Sequence, residues 1–368
     1  MKITVLTSSR ADYSIYLPLL KELQSDDFFE ISLIVFGTHL SNDFGLTLNN
    51  IIKDGFVVST KVNTMPLGDA PFDISLSMGS TIEKFSEVWI KDQSDLIIAL
   101  GDRFEMFAAC MAAFPFGKRI AHIHGGETTL GAIDDALRHS ISLVAHIHFV
   151  TTNEYAKKVE NLRGHNYGIF NVGALSIDNL THLNLLSIDE FKHQFNIDLS
   201  IPSVLITFHP ETVAFEKNEQ YINEILEALS EVRGYQFIFT MPNADTMGNL
   251  VRKKIRDYVT QNTNAIAVES FGTIGYLSCM KHSAFLLGNT SSGFVEASFF
   301  PKYVINLGER QSGRILTNNI HQCEIVKDKI LSAIHAFQYF NDQQKIEVYG
   351  NGTSAKQIKA ILKNIPIE

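Results

Sequence analysis

Apolar strand-like runs alternate with helix-like segments along most of the chain, and this alternation constrains the fold more than any other feature. Strands that are apolar at every position are buried on both faces, which is typical of a parallel sheet covered by helices. Repeated strand–helix units therefore predict the α/β class, with doubly wound sheets. The runs are 3–8, 31–37, 95–101, 119–124, 146–152, 203–209, 235–242, 265–270, 284–290 and 302–308.

The length of the chain predicts two such domains. Its 368 residues exceed what one hydrophobic core usually holds, and a polar, less regular stretch from about 185 to 201 interrupts the alternation. We predict two Rossmann-like domains, at 1–185 and 186–368. The last helical segment, 354–362, is expected to pack back on the first domain.

Charge and composition exclude several classes of protein. The net charge is −9, and Lys and Arg form no cluster, which argues against a nucleic-acid partner. No apolar run is long enough to span a bilayer, and a strand begins at once after Met1. The three cysteines are far apart, which is typical of buried thiols in a reducing compartment. These features predict a cytoplasmic protein that binds no membrane.

The common cofactor motifs are missing from the sequence. There is no G-x-G-x-x-G after the first strand, no G-x-x-x-x-G-K-[ST], no C-x-x-C and no H-E-x-x-H. A metal site is the alternative interpretation of the alternating pairs His122/His124 and His146/His148, but no carboxylate–histidine spacing supports it. We predict neither a cofactor nor a metal.

Polar and titratable residues follow the predicted strands at their C-terminal ends, the edge where α/β sheets bind ligands. The densest group lies between His122 and His139, with three His, one Glu, two adjacent Asp and one Arg. A structural loop does not need so many titratable groups, so this segment is the predicted active site. If the two sheets face each other across a cleft, all these loops converge there. The other loops are TSSR (7–10), GTH (37–39), GDR (101–103), FHPE (208–211), PNAD (242–245) and GNTSSG (288–293).

The GNTSSG segment is the best candidate for binding a phosphate group. Its small residues allow close approach of the backbone, and Ser291 and Ser292 are predicted to open a helix whose N–H groups attract an anion. Glu296 lies one turn later, where a carboxylate can accept two ribose hydroxyls.

The residues named so far resemble one known family. SSRADYS, GTHLSNDFG, GDRFE, HIHGGETTLGAIDDALRHS, FHPET, NADT, GNTSSGFVE and INLGERQSGR occur in this order between residue 1 and about residue 315. They closely resemble the hydrolysing UDP-N-acetylglucosamine 2-epimerases of bacterial sialic-acid synthesis. The resemblance implies a glycosyltransferase-B-like fold, with UDP held by the C-terminal domain and the sugar by the N-terminal domain. It also implies a homo-oligomer, either a dimer or a tetramer.

The implied reaction converts UDP-N-acetylglucosamine and water to N-acetylmannosamine and UDP through a 2-acetamidoglucal. Elimination needs a base at C2 and cations near the leaving diphosphate, and hydration needs a second acid/base. The resemblance assigns the acid–base work to Asp102, His124, Glu127 and Asp134, assisted by His209. Further ligand contacts are implied or predicted for Arg10, Ser14, His39, Arg103, Asn243, Ser291, Ser292, Glu296 and Arg310.

Two questions about roles stay open at this point. Many relatives have Glu where this chain has His124, so either His124 or Glu127 takes over its role. Either Asp134 or Asp135 reaches the substrate. One alternative substrate is UDP-N,N'-diacetylbacillosamine. Alternatives of another class are a nucleotide-sugar glycosyltransferase and a non-catalytic nucleotide-sugar sensor.

Overall fold

The fold is described from a computed structural model, over residues 1–66, 68–242, 246–341 and 346–366, without the side chain of His182. The chain forms two compact units. The first comprises Met1–Glu127, Asp134–Thr181 and Val348–Glu368, and the second comprises Thr128–Ile133 and His182–Glu347. This division differs from a single cut between 185 and 186, because a short internal segment belongs to the second unit and the C-terminal segment belongs to the first.

Each unit contains one sheet, and every paired strand in both sheets is parallel. Within the described residues, the first sheet has the order β3-β2-β1-β4-β5-β6-β7 and the second has the order β10-β9-β8-β11-β12-β13. The predicted α/β class with two Rossmann-like domains is confirmed. The strands are β1 Lys2–Thr7, β2 Glu30–Phe36, β3 Val58–Val62, β4 Leu96–Leu100, β5 Ile120–Ile123, β6 Ile147–Val150, β7 Ile169–Asn171, β8 Ser203–Thr207, β9 Gln236–Thr240, β10 Ala265–Val268, β11 Phe285–Gly288, β12 Val304–Leu307 and β13 Ile320–Cys323.

Helices cover both faces of each sheet. Neighbouring residues of β2 face opposite layers: Leu33 packs in the same core as Tyr16, and Ile34 packs in the same core as Trp89. This two-sided burial is the reason why the strands are continuously apolar. The helices are α1 Arg10–Gln24, α2 Leu48–Lys53, α3 Pro71–Lys91, α4 Phe104–Ala113, α5 Asp134–Val144, α6 Asn153–Arg163, α7 Leu175–His182, α8 Ile188–Phe195, α9 Asn218–Glu231, α10 Gly248–Gln261, α11 Gly272–His282, α12 Glu296–Phe299, α13 Lys327–Ala336 and α14 Ser354–Asn364.

Three strands were not predicted, and all three lie at sheet edges. They are β3 and β7 in the first sheet and β13 in the second. An edge strand has only one neighbour and is partly solvated, so its sequence need not be continuously apolar. In β3, for example, the sequence VSTKV alternates between exposed and half-buried positions before its buried last residue.

A proline inside α1 is accommodated by a tertiary hydrogen bond. Pro18 has no N–H to donate to the carbonyl of Ser14, one turn earlier in the helix. The side-chain amide of Asn179 donates to that carbonyl instead, at 2.8 Å. The otherwise unsatisfied acceptor is therefore paired, and α1 continues through Pro18.

The last helix, α14, lies in the first unit because that unit caps and buries it. The Asp178 carboxylate accepts the N–H groups of Ser354 and Ala355, at 3.0 and 2.7 Å, at the start of the helix. Ile358 and Leu362 are fully buried in the core that also contains α1. Within the described residues, no helix is both long enough and apolar enough to cross a membrane.

Candidate active site

The strand order reverses once in each sheet, between β1 and β4 and between β8 and β11. The carboxyl ends of the strands at such a reversal form the usual ligand crevice of an open α/β sheet. In the first unit this edge carries the loops after β1, β4 and β5, and in the second unit it carries the loops after β8 and β11. Most of the predicted site residues belong to these loops.

The loop after β1 is shaped by the Asp12 carboxylate. It accepts the backbone N–H groups of Ser8 and Ser9, both at 2.7 Å, and also their hydroxyls. Arg10 is consequently the first residue of α1, and Ser14 follows one turn later; both are half-buried. The loop is therefore preorganised next to the strand reversal, with Arg10 at its end.

The loop after β4 holds two arginine–carboxylate pairs. Asp102 pairs with the guanidinium of Arg138, whose side chain is 3% exposed and which also donates to the carbonyl of Glu127 at 2.7 Å. Arg103, predicted to bind an anion, pairs with the fully buried Glu105 at 3.1 Å. The structure thus joins Asp102 to α5 through Arg138, and it places the charge of Arg103 against a protein carboxylate.

His124 and Glu127 form a hydrogen-bonded pair after β5. The His124 Nδ1 lies 3.0 Å from Glu127 Oε1, which also accepts the hydroxyl of Thr151 at 3.1 Å. Because a carboxylate only accepts, Nδ1 carries a proton, and in a neutral imidazole Nε2 then has the lone pair. This Nε2 is buried and has no hydrogen-bond partner among the residues that the structure describes.

The backbone of His124 is in the left-handed region, with φ of +67°. A non-glycine residue rarely adopts this conformation, and such strain is concentrated at functional sites. The conformation redirects the chain directly after Ile123, the last residue of β5. The pair with Glu127 is therefore formed at an energetic cost to the backbone.

The two adjacent aspartates at the start of α5 have different surroundings. Asp135 lies 3.5 Å from His139, one turn along the same helix. Asp134 is the first residue of α5, half-buried, and follows directly after Ile133. Both aspartates are half-buried, so the choice between them for substrate contact stays open.

Two other histidines of this region, His122 and His148, belong to the core, whereas His146 is exposed. His122 and His148 face each other on neighbouring strands and are fully buried. The two ring nitrogens of His122 contact the Ser142 hydroxyl at 2.9 Å and the Gly101 carbonyl at 2.8 Å. Over the described residues, no group of three or more His, Cys, Asp or Glu side chains is arranged to hold a metal ion.

These buried histidines predict acid sensitivity. Burial lowers the pKa of His122 to about 4 and that of His148 to about 3, below the ordinary value near 6.5. Between pH 6.5 and 4 the unfolded chain binds more protons than the native one, so stability falls as the pH falls. We expect the free energy of unfolding to drop by several kcal/mol in all, at roughly 1.4 kcal/mol per pKa unit.

Urea unfolding followed between pH 7.5 and 4.5 measures this effect. The His148→Gln variant should show a flatter dependence on pH, whereas His335→Gln, at an exposed position, should match the wild type. An unfolding free energy that stays constant from pH 6.5 to 4.5 would contradict the prediction.

His39 was predicted to contact the ligand, and its placement in the structure gives it a role in the core. It is fully buried, and its ring nitrogens lie 2.9 Å from the Thr7 hydroxyl and 2.7 Å from the Thr47 hydroxyl. Burial also lowers its pKa. A neutral imidazole with both nitrogens engaged fixes the turn Gly37–Leu40 against β1.

In the second unit, the loops after β8, β11 and β12 form one hydrogen-bonded network. His209 and Asn289 exchange two hydrogen bonds, at 2.7 and 2.8 Å. The Asn289 carbonyl accepts from the side chains of Arg310, at 3.4 Å, and Gln311, at 2.9 Å. The Arg310 Nε is buried without a partner among the described residues, so the guanidinium has a donor left for a ligand.

The GNTSSG segment differs from its prediction. Ser291–Gly293 is a single 3-10 turn, and α12 has only four residues, beginning at Glu296. The extended helix on which the predicted anion attraction depended is therefore not formed. The Ser292 hydroxyl lies 2.5 Å from that of Tyr276, whereas Ser291 is exposed.

Several residues of these networks were not predicted as site residues. Arg138 and Glu211 lie in segments that were predicted to belong to the site, but their roles depend on partners that are distant in sequence. Tyr276 lies outside those segments, and its partner is Ser292. Burial raises the pKa of Tyr276 to about 12, which keeps its hydroxyl protonated beside Glu296. Asn243, a predicted ligand contact, lies outside the described residues.

Comparison with known proteins identifies relatives over nearly the whole chain. The sequence model of the UDP-N-acetylglucosamine 2-epimerase family matches residues 21–363. The GDP/UDP-N,N'-diacetylbacillosamine 2-epimerase (hydrolyzing) of Campylobacter jejuni is 34% identical, over 88% of this chain and 84% of that protein. The polysialic acid biosynthesis protein P7 of Escherichia coli is 32% identical, over 92% of this chain and 86% of that protein.

A solved structure shares the fold. The crystal structure of UDP-GlcNAc 2-epimerase from Neisseria meningitidis, bound to UDP-GlcNAc, superimposes with a TM-score of 0.84. The match covers 99% of this chain and 100% of that chain, at 19% sequence identity. At this identity the likeness concerns the fold.

Proposed function

Because the chain belongs to the UDP-N-acetylglucosamine 2-epimerase family, we propose that it is a hydrolysing epimerase that converts UDP-N-acetylglucosamine and water to N-acetylmannosamine and UDP. The observation that carries the proposal is the buried pair of His124 and Glu127, whose free Nε2 is available as an acid or base. The product is a precursor suited to sialic-acid synthesis, in keeping with the name of the Escherichia coli relative.

The proposed chemistry has two steps. In the first, a base removes the proton from C2, the C1–O bond to UDP breaks, and a double bond forms between C1 and C2. In the second, water adds its hydroxyl to C1. C2 receives a proton on the face opposite to the one that lost its proton in the first step, which inverts the configuration of C2. Each step requires a positioned proton acceptor or donor.

His124 is the base that best fits this role. Glu127 orients the imidazole and stabilises the imidazolium that forms when Nε2 takes up a proton, as a carboxylate does for a catalytic histidine in general. Asp102 and Asp134 are proposed as the second acid/base and the sugar contact. Glu127 is then a positioning residue. In this proposal His124 and Glu127 have complementary roles, so neither of them alone replaces the Glu of many relatives.

The second unit is proposed to bind UDP, through Arg310 and the backbone of the GNTSSG segment at the diphosphate and through Glu296 at the ribose. Support comes from the free donor of Arg310 beside the Asn289 carbonyl. His209, fixed by Asn289, is proposed to assist at the diphosphate or sugar.

Replacing Glu296 with alanine tests the nucleotide site. UDP binding is expected to weaken by up to about 3 kcal/mol, because two charge-assisted hydrogen bonds to the ribose are lost. Isothermal titration with UDP measures the change. Glu227→Ala removes the same charge from an exposed position in α9 and should bind UDP like the wild type. Equal affinities of the two variants would contradict the assignment of Glu296.

Isotopic labelling tests the reaction itself. Turnover in heavy water should place deuterium at C2 of the released sugar, and oxygen-18 water should label C1. Retention of protium at C2 would rule out elimination followed by hydration and would favour simple hydrolysis or transfer without epimerisation.

A second substrate is favoured by one comparison. The Campylobacter jejuni relative is named for UDP-N,N'-diacetylbacillosamine, so the same reaction on that sugar is the second candidate. Incubation with each UDP-sugar separately, with products identified by NMR, discriminates between the two substrates.

We also propose a homo-oligomer, which sedimentation velocity of the purified protein tests directly.

A further inference from the structure

A six-residue segment of the second unit lies, along the chain, between two segments of the first unit. Residues 128–133, which we call the strap, belong to the second unit, whereas Glu127 before it and Asp134 after it belong to the first. The strap therefore connects the proposed positioning residue Glu127 to the proposed catalytic residue Asp134 along the chain, although the strap itself belongs to the other unit.

Hydrogen bonds attach the strap to other parts of the second unit. Leu130 N–H donates to the Ser312 carbonyl at 3.1 Å, and Ile133 N–H donates to the Thr212 hydroxyl at 2.9 Å. In return, the Val213 N–H donates to the carbonyl of Gly131 at 3.4 Å. The strap is thus attached to two loops, 211–213 after β8 and 309–313 after β12.

The packing at two glycines shows that this attachment is close. A Cβ at position 131 would lie 2.6 Å from the carbonyl carbon and oxygen of Glu309 and 2.7 Å from the Cα of Arg310. Gly313 has φ of +87°, and a Cβ there would lie 2.5 Å from the Thr128 side chain. At position 131 only glycine allows the two backbones to approach to this distance, and at position 313 only glycine leaves room for the Thr128 side chain.

The same two loops hold Arg310. Glu211, which is 3% exposed, accepts the N–H groups of Glu309 and Arg310 on one carboxylate oxygen, at 2.6 and 3.2 Å. The peptide that carries Arg310 is thus fixed by Glu211 on one side and touched by Gly131 on the other. The backbones of Gly131 and Arg310 are therefore closely packed, and such packing leaves little room for independent movement.

We propose that the strap couples nucleotide binding in the second unit to the placement of Glu127, which orients the base His124, and of Asp134, with Gly131 and Thr212 as further positioning residues. The inference rests on the proposed binding of UDP by the second unit. When UDP engages Arg310, the loop 309–313 is restrained, and the strap restrains the two chain ends that carry the catalytic groups. Without the attachment, UDP binds but the acid–base groups are held less well.

Hydrogen exchange detected by mass spectrometry, with UDP as the probe, tests the coupling. In the wild type, UDP should slow exchange in peptides that contain the amides of Leu130, Ile133 and Val213, in addition to those of 309–313. In Thr212→Val, which keeps the side-chain shape but removes the acceptor for Ile133, protection should reach 309–313 and Leu130 and should be lost at the Ile133 amide. Thr212→Ser keeps the hydroxyl and should restore it.

Kinetics give a second readout. Thr212→Val should lower kcat about tenfold, as expected for one lost hydrogen bond, with UDP affinity nearly unchanged. Gly131→Ala should lower kcat by about a hundredfold, the effect of a displacement near 1 Å at a catalytic group. Its control is Gly79→Ala in α3, where an added Cβ meets nothing within 4 Å, and which should retain wild-type kcat.

The outcomes separate this inference from the function on which it rests. If UDP binds and protects 309–313 but leaves strap exchange unchanged in the wild type, the coupling is wrong and the nucleotide site stands. The coupling is also wrong if Thr212→Val loses UDP affinity and keeps kcat. If UDP protects no peptide of the second unit, the proposed nucleotide site itself fails.

Discussion

Replacing His124 with asparagine is expected to lower kcat by about two to four orders of magnitude, the usual contribution of a positioned acid or base. Asparagine is the informative substitution because it tolerates the left-handed backbone of residue 124 better than other residues of similar size. Its amide also keeps a donor near Glu127. The variant therefore loses the proton-accepting Nε2 while the strained turn is preserved, and UDP affinity should change little.

Glu127→Gln and the double variant complete this test. Glutamine cannot balance the charge of an imidazolium, so Glu127→Gln alone should also lower kcat, by less than His124→Asn. Because the two side chains act as one unit, the double variant should be about as slow as His124→Asn alone. Losses that multiply would show that the two residues act in separate steps. Full activity of His124→Asn would exclude His124 as the base.

Replacing Asp102 with asparagine is expected to affect both catalysis and stability. The substitution removes the charge that balances Arg138, whose side chain is 3% exposed. An uncompensated buried charge costs about 3 kcal/mol or more, so chemical denaturation should detect a clear loss of stability. If Asp102 also serves as an acid or base, kcat should fall by about two to four orders of magnitude at temperatures where the variant is folded.

Asp135→Asn is the matched control for this prediction. It makes the same chemical change at a residue whose ion-pair partner, His139, has a side chain that is 32% exposed. Exposed pairs contribute less than about 1 kcal/mol, so its stability should stay close to that of the wild type. Equal stability of Asp102→Asn and the wild type would contradict the importance of the Asp102–Arg138 pair. Equal kcat would remove Asp102 from the catalytic groups.

Much of the fold could be predicted from the sequence because its signal is local. A strand buried on both faces must be apolar throughout, as in LIIAL at 96–100, and this pattern is visible without any knowledge of its neighbours. The edge strands β3, β7 and β13 were not predicted because they lack this pattern. For example, β13 has only one neighbouring strand and the mixed sequence IHQC. The residues at the strand ends were predicted to form a site because they contain more titratable groups than turns require.

By itself, the sequence determined the α/β class, the two domains and the loops that carry the candidate chemistry, because each of these depends on a short stretch of chain. Only the tertiary structure decided what each side chain does. It paired Asp102 with a residue 36 positions away, and it paired Glu211 with a backbone 98 positions away. It also placed His39 in the core and the strap in the second unit. The free energy of a buried polar group depends on partners that folding brings together from distant parts of the chain, and no local pattern specifies those partners.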